Sequence, residues 1–374
     1  MKLGERNRNM RSFEYNLYGD CPANASADNP RALFGAKADA VLSMILEFEP
    51  GDCRYDALCK QFSEEYIQSL IRIGLIRTEN GAVLLDSTVL TDKDVFKLES
   101  GMRARAVRMA DKIQAREAEF REATALSNGF SAAMNLYHLL CAATFDGRFF
   151  DLLSARGVVA TSRVHPSGLD YLIIVYERTP AIEQFSRKLI CSYNRLSDGE
   201  RALQSFGDAD GNRRDFYRFR VMRALDRETG APDDVLRVWD SIPERRFVKT
   251  MLGAAQCMAD FGDCDARYNR LLEYFGYVQN GRIVVPVYRK ADSVRVDRLA
   301  ALADECIFDE MRAAISDKAN LICSAHGVNP REIANEIYHI AFGTLNECLI
   351  ARGFAASPKP RVGEGRYLRS IQVE

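Results

Sequence analysis

Arginine is the residue whose placement suggests chemistry in this chain. Six arginines fall between Arg213 and Arg227: Arg213, Arg214, Arg218, Arg220, Arg223 and Arg227. Phe216, Phe219, Met222 and Leu225 recur every three residues in the same segment and predict its buried stripe. Arginines on the remaining faces suit phosphate neutralisation, with the salt dependence that counterion release imposes. The plainer alternative is a docked helix whose arginines pair with nearby acids. A second group follows: Arg267, Asn269 and Arg270 in one helical segment, then Arg282, Arg289 and Lys290. Arginine and asparagine can make two-pronged contacts with guanine and adenine edges. A solvated helix face is the alternative for these.

Other motifs carry less. Cys323-x-x-His326 and His138-x-x-Cys141 have ligand-like spacing, but zinc takes four ligands and neither has a second local pair. No third group stands ready to orient a Cys-His nucleophile. Asp208, Asp210 and Asn212 suggest a calcium loop, but the glycine is misplaced and no distal glutamate closes it. The chain has no Walker loop, dinucleotide GxGxxG, HExxH or GxSxG pattern. The expectation is no metal, no cofactor and no catalytic residue.

The bulk numbers narrow the classes. The chain has 374 residues, 47% hydrophobic and 28% charged, with a net charge of -1. That is room for two or three domains, and any basic surface must be local. No apolar run approaches a membrane-spanning length, and MKLGERNRNMRSF has no apolar signal core. Ten scattered cysteines read as reduced thiols in a cytoplasmic protein.

The elements that must position these residues follow from periodicity. Residues 1–31, with Lys2, Arg6, Arg8 and Arg11, read as a flexible N-terminal arm. Ala40, Val41, Met44, Ile45 and Phe48 predict one helix face. Tyr55 to Phe62 is a second helix, with Ser63 as N-cap of a third. Glu64 and Glu65 start that third helix, and Ile67, Leu70 and Ile71 form its buried side. Gly74 stops it in the left-handed conformation, and Asn80-Gly81 supplies a tight hairpin turn. Lys97 to Ala125 reads as one long helix with a narrow seam of Met102, Ala106, Met109, Ile113, Phe120 and Thr124, suited to pairing in a homodimer. Ser131 to Thr144 and Phe149 to Ala155 are further helices. Val158 to Val164 and Tyr171 to Glu177 predict a hairpin, its second strand apolar on both faces.

Three helices, the Gly74-Leu75-Ile76 exit, the Asn80-Gly81 turn and the Leu90-Thr91 close resemble the winged-helix branch of the helix-turn-helix superfamily over about sixty residues. The resemblance implies that the third helix can enter a DNA major groove. Glu64, Glu65, Gln68, Ser69 and Arg72 would then face phosphates, a poor match for the two carboxylates.

The pattern returns at Arg267 to Tyr288, as RYNRLLEYFGYVQNGRIVVPVY. Asn80 to His138 and Asn280 to His339 are near-equal spacings, and Ala155-Arg156-Gly157 matches Ala351-Arg352-Gly353. An internal duplication accounts for this. The expected fold is mainly α with small β-hairpins (α+β). It comprises the arm, a first winged-helix repeat over 32–178, a helical connector over 179–245 and a second repeat over 246–374. The expected function is double-stranded DNA binding, as a transcriptional regulator or replication-initiator-like factor. The second copy would read DNA through Arg267, Asn269, Arg270, Arg282, Arg289 and Lys290, with Arg213, Arg214, Arg218 and Arg220 on phosphates. The alternative is an interaction scaffold whose winged helices dock a protein partner.

Overall fold

The computed structural model describes residues 11–20, 29–209, 214–318, 320–360 and 364–374. It is a mixed α+β fold. The first half runs β1 (Phe13–Asp20), α1 (Ala36–Ile45), α2 (Tyr55–Phe62), α3 (Glu64–Arg72), β2 (Ile76–Glu79), β3 (Ala82–Leu85), β4 (Thr88–Leu90) and α4 (Asp92–Gln114). Then come α5 (Glu117–Ala123), α6 (Ala132–His138), α7 (Phe149–Ala155), β5 (Asp170–Glu177) and α8 (Pro180–Ser186). The second half runs β6 (Ile190–Ser197), β7 (Ala202–Asp208), α9 (Phe216–Ala224), α10 (Asp233–Ser241), α11 (Glu244–Phe261), α12 (Ala266–Tyr274), β8 (Val278–Gln279), β9 (Arg282–Ile283) and β10 (Val287–Arg289). It ends with α13 (Ser293–Ile315), α14 (Ile322–Ala325), α15 (Pro330–Ala351) and β11 (Leu368–Val373).

The chain divides into two compact units, and each takes residues from both halves. Unit 1 is 1–101, 156–185 and 313–338; unit 2 is 102–155, 186–312 and 339–374. The sequence predicts consecutive domains over 32–178 and 246–374. Helices α4 and α15 each cross a unit boundary instead, so contiguous stretches of sequence do not delimit the cores.

In unit 1 the three helices precede a hairpin, as the pattern predicts. Asn80 and Gly81 take φ of 49° and 75°, which shapes the tight turn. The residues before α2 add a short rung: Val83 N–H donates to Cys53 O at 2.7 Å and Tyr55 N–H to Gly81 O at 3.1 Å. The α1 face differs from expectation, because the helix ends at Ile45 and buries Ala38, Val41, Leu42 and Ile45. Phe48 lies beyond it and stays 41% exposed. Ser63 has a φ of 67° and makes no side-chain cap bond. It joins α2 to α3 with no loop, and its backbone is spent on that bend.

The sheet of unit 1 has the order β1-β5-β4, with β5 antiparallel to β1 and parallel to β4. Tyr171 to Val175 are buried throughout, as expected of a strand covered on both faces. Its antiparallel partner is Phe13–Asp20, which the sequence assigns to an arm. This short strand is polar on alternate positions, and its pairing comes from 150 residues downstream rather than from local pattern. Val158 to Val164 is not a strand; Arg163 and Tyr171 exchange backbone bonds and Val164 forms a single bridge.

Unit 2 contains a four-stranded sheet in the order β10-β11-β7-β6. Strands β6 and β7 occupy the predicted helical connector, turning at Ser197-Asp198-Gly199. The sheet carries an aromatic core: Phe216 stacks on Phe275 at 3.9 Å, and Trp239 lies 4.1 Å from Phe247. Of the α9 stripe, Phe216 and Phe219 are buried, whereas Met222 and Leu225 are half-buried because the helix ends at Ala224.

The Lys97–Ala125 helix breaks at 115–116 into α4 and α5. Arg116 marks the break, bound by Glu119 and by Glu305 of α13. All six seam residues are buried within the single chain, so the seam predicted for a homodimer is filled intramolecularly. Helices α6 and α7 join through ten residues of wider π-type turns, 139–148, where Thr144 Oγ1 donates to Leu139 O five residues back. No helix among the described residues is long and apolar enough to cross a membrane.

Several local features occur once in each half. Gly74 and Gly276 stop α3 and α12 with φ of 75° and 79°, and Asn280-Gly281 repeats the turn angles at 50° and 68°. Helices α4 and α13 both have 23 residues. Each follows a strand closed by an aspartate three residues on: Thr91 N–H donates to Asp94 and Arg289 N–H to Asp292. The strand triads β1-β5-β4 and β7-β11-β10 pair with the same directions.

Candidate functional site

The second basic group is spread over α12 (Arg267, Asn269, Arg270), β9 (Arg282) and the end of β10 (Arg289, with Lys290 just after). Asp265 caps α12, accepting from Arg267 N–H at 2.9 Å. The same carboxylate takes Arg267 Nη2 at 2.6 Å, and these bonds hold Asp265 near a pKa of about 2. Arg270 is bound to Asp234 of α10 at 2.6 Å. Asn269 is half-buried, and its Oδ1 has no partner among the described residues. Arg289 pairs with Asp260 at 2.8 Å and Lys290 with Glu200 at 2.9 Å. Arg282 is exposed on β9 with no acid in reach among the described residues.

The first basic group behaves as its plainer reading predicts. Arg214 lies 3.5 Å from Glu364 and over the Tyr274 ring. Arg220 pairs with Glu244 and Arg223 with Asp240. Arg218 stands at the start of α9, its backbone N–H held by Asp215. Arg213 lies outside the described residues, as do Lys2, Arg6 and Arg8; Arg11 pairs with Glu177 at 3.5 Å. An exposed ion pair stabilises by no more than about 1 kcal/mol. Pairing also weakens the field a distant polyanion feels, because the acid's opposite charge cancels most of the cation's.

Sequence reasoning passed over a set of unpaired cations. Arg245, Arg246 and Lys249 are exposed on the first turns of α11, with no acid partner among the described residues. The signal was the run Glu244-Arg245-Arg246-Phe247-Val248-Lys249, charged around one buried phenylalanine. Phe261, at the other end of α11, is 82% exposed. Val284, just after the hairpin, is also exposed.

The two histidines that share a sequence spacing have different partners. His138 Nε2 lies 2.8 Å from Gln204 Oε1 and 2.7 Å from Ser370 Oγ, and the Ser370 hydroxyl also donates to Gln204 at 2.8 Å. A serine beside a histidine is a nucleophile arrangement in outline. Both side chains are buried, and Nδ1 of His138 has no orienting partner among the described residues. Burial holds His138 neutral, with its pKa pushed down to about 4. This is a core hydrogen bond. His339 Nε2 instead meets Asp146 at 3.3 Å, beside Phe150 and Phe342. Burial raises the Asp146 carboxyl, and the His339 contact partly offsets this.

Both members of the Cys-x-x-His pair at the end of α14 are buried within the fold. Cys323 is buried, its thiol pushed up to about 12 by burial. His326 uses Nδ1 to accept from Leu85 N–H. No protein-family model matches this chain, and neither a curated protein nor a solved structure matches it.

Proposed function

We propose that the chain is an adaptor built from two winged-helix-type modules, descended from one duplicated ancestor, and that these modules dock other proteins. The modules are α1–α3 with β2–β3 in unit 1, and α10–α12 with β8–β9 in unit 2. The matched exit glycines, Asn-Gly turns, 23-residue helices and strand directions support common descent. In the second module α12 packs chiefly on α10, as the Arg270–Asp234 pair illustrates, so its helical trio is connected differently.

The observation that carries the docking reading is charge cancellation. Around α12 and its hairpin, Arg267, Arg270, Arg289 and Lys290 each hold an acid within 3 Å. Helix α3 opens on Glu64 and Glu65. Such faces attract a polyanion weakly. Phe261 and Val284 add exposed apolar surface, and protein interfaces concentrate aromatic residues while shedding charge at their centres. Affinity capture on immobilised full-length protein tests this. A protein partner held by wild type and released by Phe261→Ser, with no nucleic acid co-eluting, supports docking. Nucleic acid co-eluting with wild type counts against it.

The second reading is duplex DNA bound by unit 2. It is supported by Arg245, Arg246, Lys249 and Arg282, which lack acid partners among the described residues, and by the exposed side chain of Arg267. A gel-shift titration at low and moderate salt separates the two. Binding that fades with salt, and that Arg270→Glu weakens far more than Gln68→Glu, favours DNA. No binding at low salt by folded protein removes this reading.

A further inference from the structure

A shallow, open cleft of about 460 Å³ lies beside the first hairpin, entirely within unit 1. Its polar walls are Arg54, Arg77, Glu79, Asn80 and His326. The volume falls in the range of small-molecule sites. The cleft shares β2 and β3 with the first module but includes neither Phe261 nor Val284, the exposed apolar positions of the docking reading.

Each donor is arranged by the fold. Arg77 Nη1 donates to Leu85 O at 2.6 Å and Nη2 to His326 O at 2.7 Å. The guanidinium is therefore fixed; Glu79, a side chain 60% exposed at the rim, lies 3.6 Å from it, and the charge of Asp86 also reaches it. Arg54 reaches Asn80 O at 3.4 Å and has no acid in ion-pair range among the described residues. His326 is 2% exposed. Because its Nδ1 accepts from Leu85 N–H at 3.3 Å, the ring proton sits on Nε2. That Nε2–H is buried and has no acceptor among the described residues. A buried donor is ordinarily satisfied, and one that is not calls for an explanation.

We propose that this cleft binds a small phosphate-type oxyanion, held by Arg54 and Arg77 and accepting the Nε2–H of His326. Two guanidiniums and one imidazole N–H match a tetrahedral dianion better than a single carboxylate, because phosphate offers several acceptor oxygens and two charges. Residues 50–54 and 77–84 belong to the hairpin region and 325–327 follow α14. An anion there ties the Ala325-His326-Gly327 corner to the hairpin, which makes it a ligand-dependent brace.

The test is a ¹H–¹⁵N histidine-correlation titration of the full-length protein with inorganic phosphate and pyrophosphate. The chain has four histidines, so each signal can be assigned by substitution. The expected result is a saturable shift of the His326 signal alone. Arg54→Gln, an exposed position, weakens it tenfold or more, and Glu79→Gln tightens it several-fold. Anion binding also raises the apparent pKa of His326 from its depressed value near 4. A His326 signal that stays fixed through tens of millimolar phosphate, or moves equally with chloride, overturns the proposal. So does affinity that Arg54→Gln leaves unchanged, or a response to a short DNA duplex but not to phosphate or pyrophosphate.

Discussion

The imidazole of His138 lies flat on the ring of Tyr288, with centroids 5.2 Å apart and planes at 9°. Tyr288 in turn donates its hydroxyl to Asn135 at 3.1 Å, on the same helix as His138. This stack and the Gln204–Ser370 pair seal a polar cluster into the unit 2 core. Gln204→Leu removes the acceptor that both His138 and Ser370 use. The expected loss is about 1–3 kcal/mol, the usual result of stranding a buried donor. Urea unfolding followed at Trp239, the single tryptophan, reads it directly. An unchanged midpoint would show that the cluster finds another partner.

Acid should destabilise the protein through two histidines. Burial depresses His138 and His326 to about 4 in the folded state, against an ordinary value of 6.5. The unfolded chain therefore takes up protons first. The stability each neutral ring contributes is complete above pH 6.5 and is lost as pH falls from there toward 4. Each site is worth about 3 kcal/mol across that window. Buried Asp146 and Asp215 have raised values and act in the opposite sense, favouring the fold at low pH. Melting temperature against pH for wild type and His138→Gln isolates one histidine. The variant should show a flatter decline between pH 6.5 and 4.

Two glycines at similar angles should tolerate alanine differently. Gly281 has open space where a Cβ would sit, so Gly281→Ala costs only the left-handed backbone penalty of about 1 kcal/mol. A Cβ at Gly74 would lie 2.4 Å from Arg163 Nη2 and 2.6 Å from His165 Cε1. Arg163 is anchored to Gly74 O, Asp86 and Glu332, so it cannot easily retreat. Gly74→Ala should cost about 3 kcal/mol in total. Circular-dichroism melts of the two variants test the ranking.

Asp215 caps α9 from inside the core. Its Oδ1 accepts from Tyr217 and Arg218 N–H at 2.9 and 3.1 Å, and Oδ2 takes the Ser205 hydroxyl. Asp215→Ala should cost about 2 kcal/mol. Asp215→Asn keeps the Oδ1 cap and should cost less than half of that. Equal losses in chemical denaturation would place the stabilisation in the charge rather than the cap.

What was readable in the sequence was local. Gly74, Asn80-Gly81 and Asn280-Gly281 announce their turns because few residues take positive φ there. The seam from Met102 to Thr124 announces a buried helix face. Neither signal names its partner. Phe13–Asp20 pairs with a strand 150 residues away, and nothing in its own composition encodes that. The arginines from Arg214 to Lys290 were recognisable as a basic set. Their neutralisation by Glu364, Glu244, Asp234 and Asp260 depends on which elements the fold brings beside them.

Unit 1 includes residues 313–338, and unit 2 includes the last strand of the chain. During synthesis, β1 emerges first but waits for β5, and the packing around it waits for α14 and the start of α15. More than three hundred residues must leave the ribosome before either core can close. Hydrophobic strands such as β5 then stay partly uncovered until those later segments emerge, so the nascent protein needs either protection by a chaperone or fast final collapse.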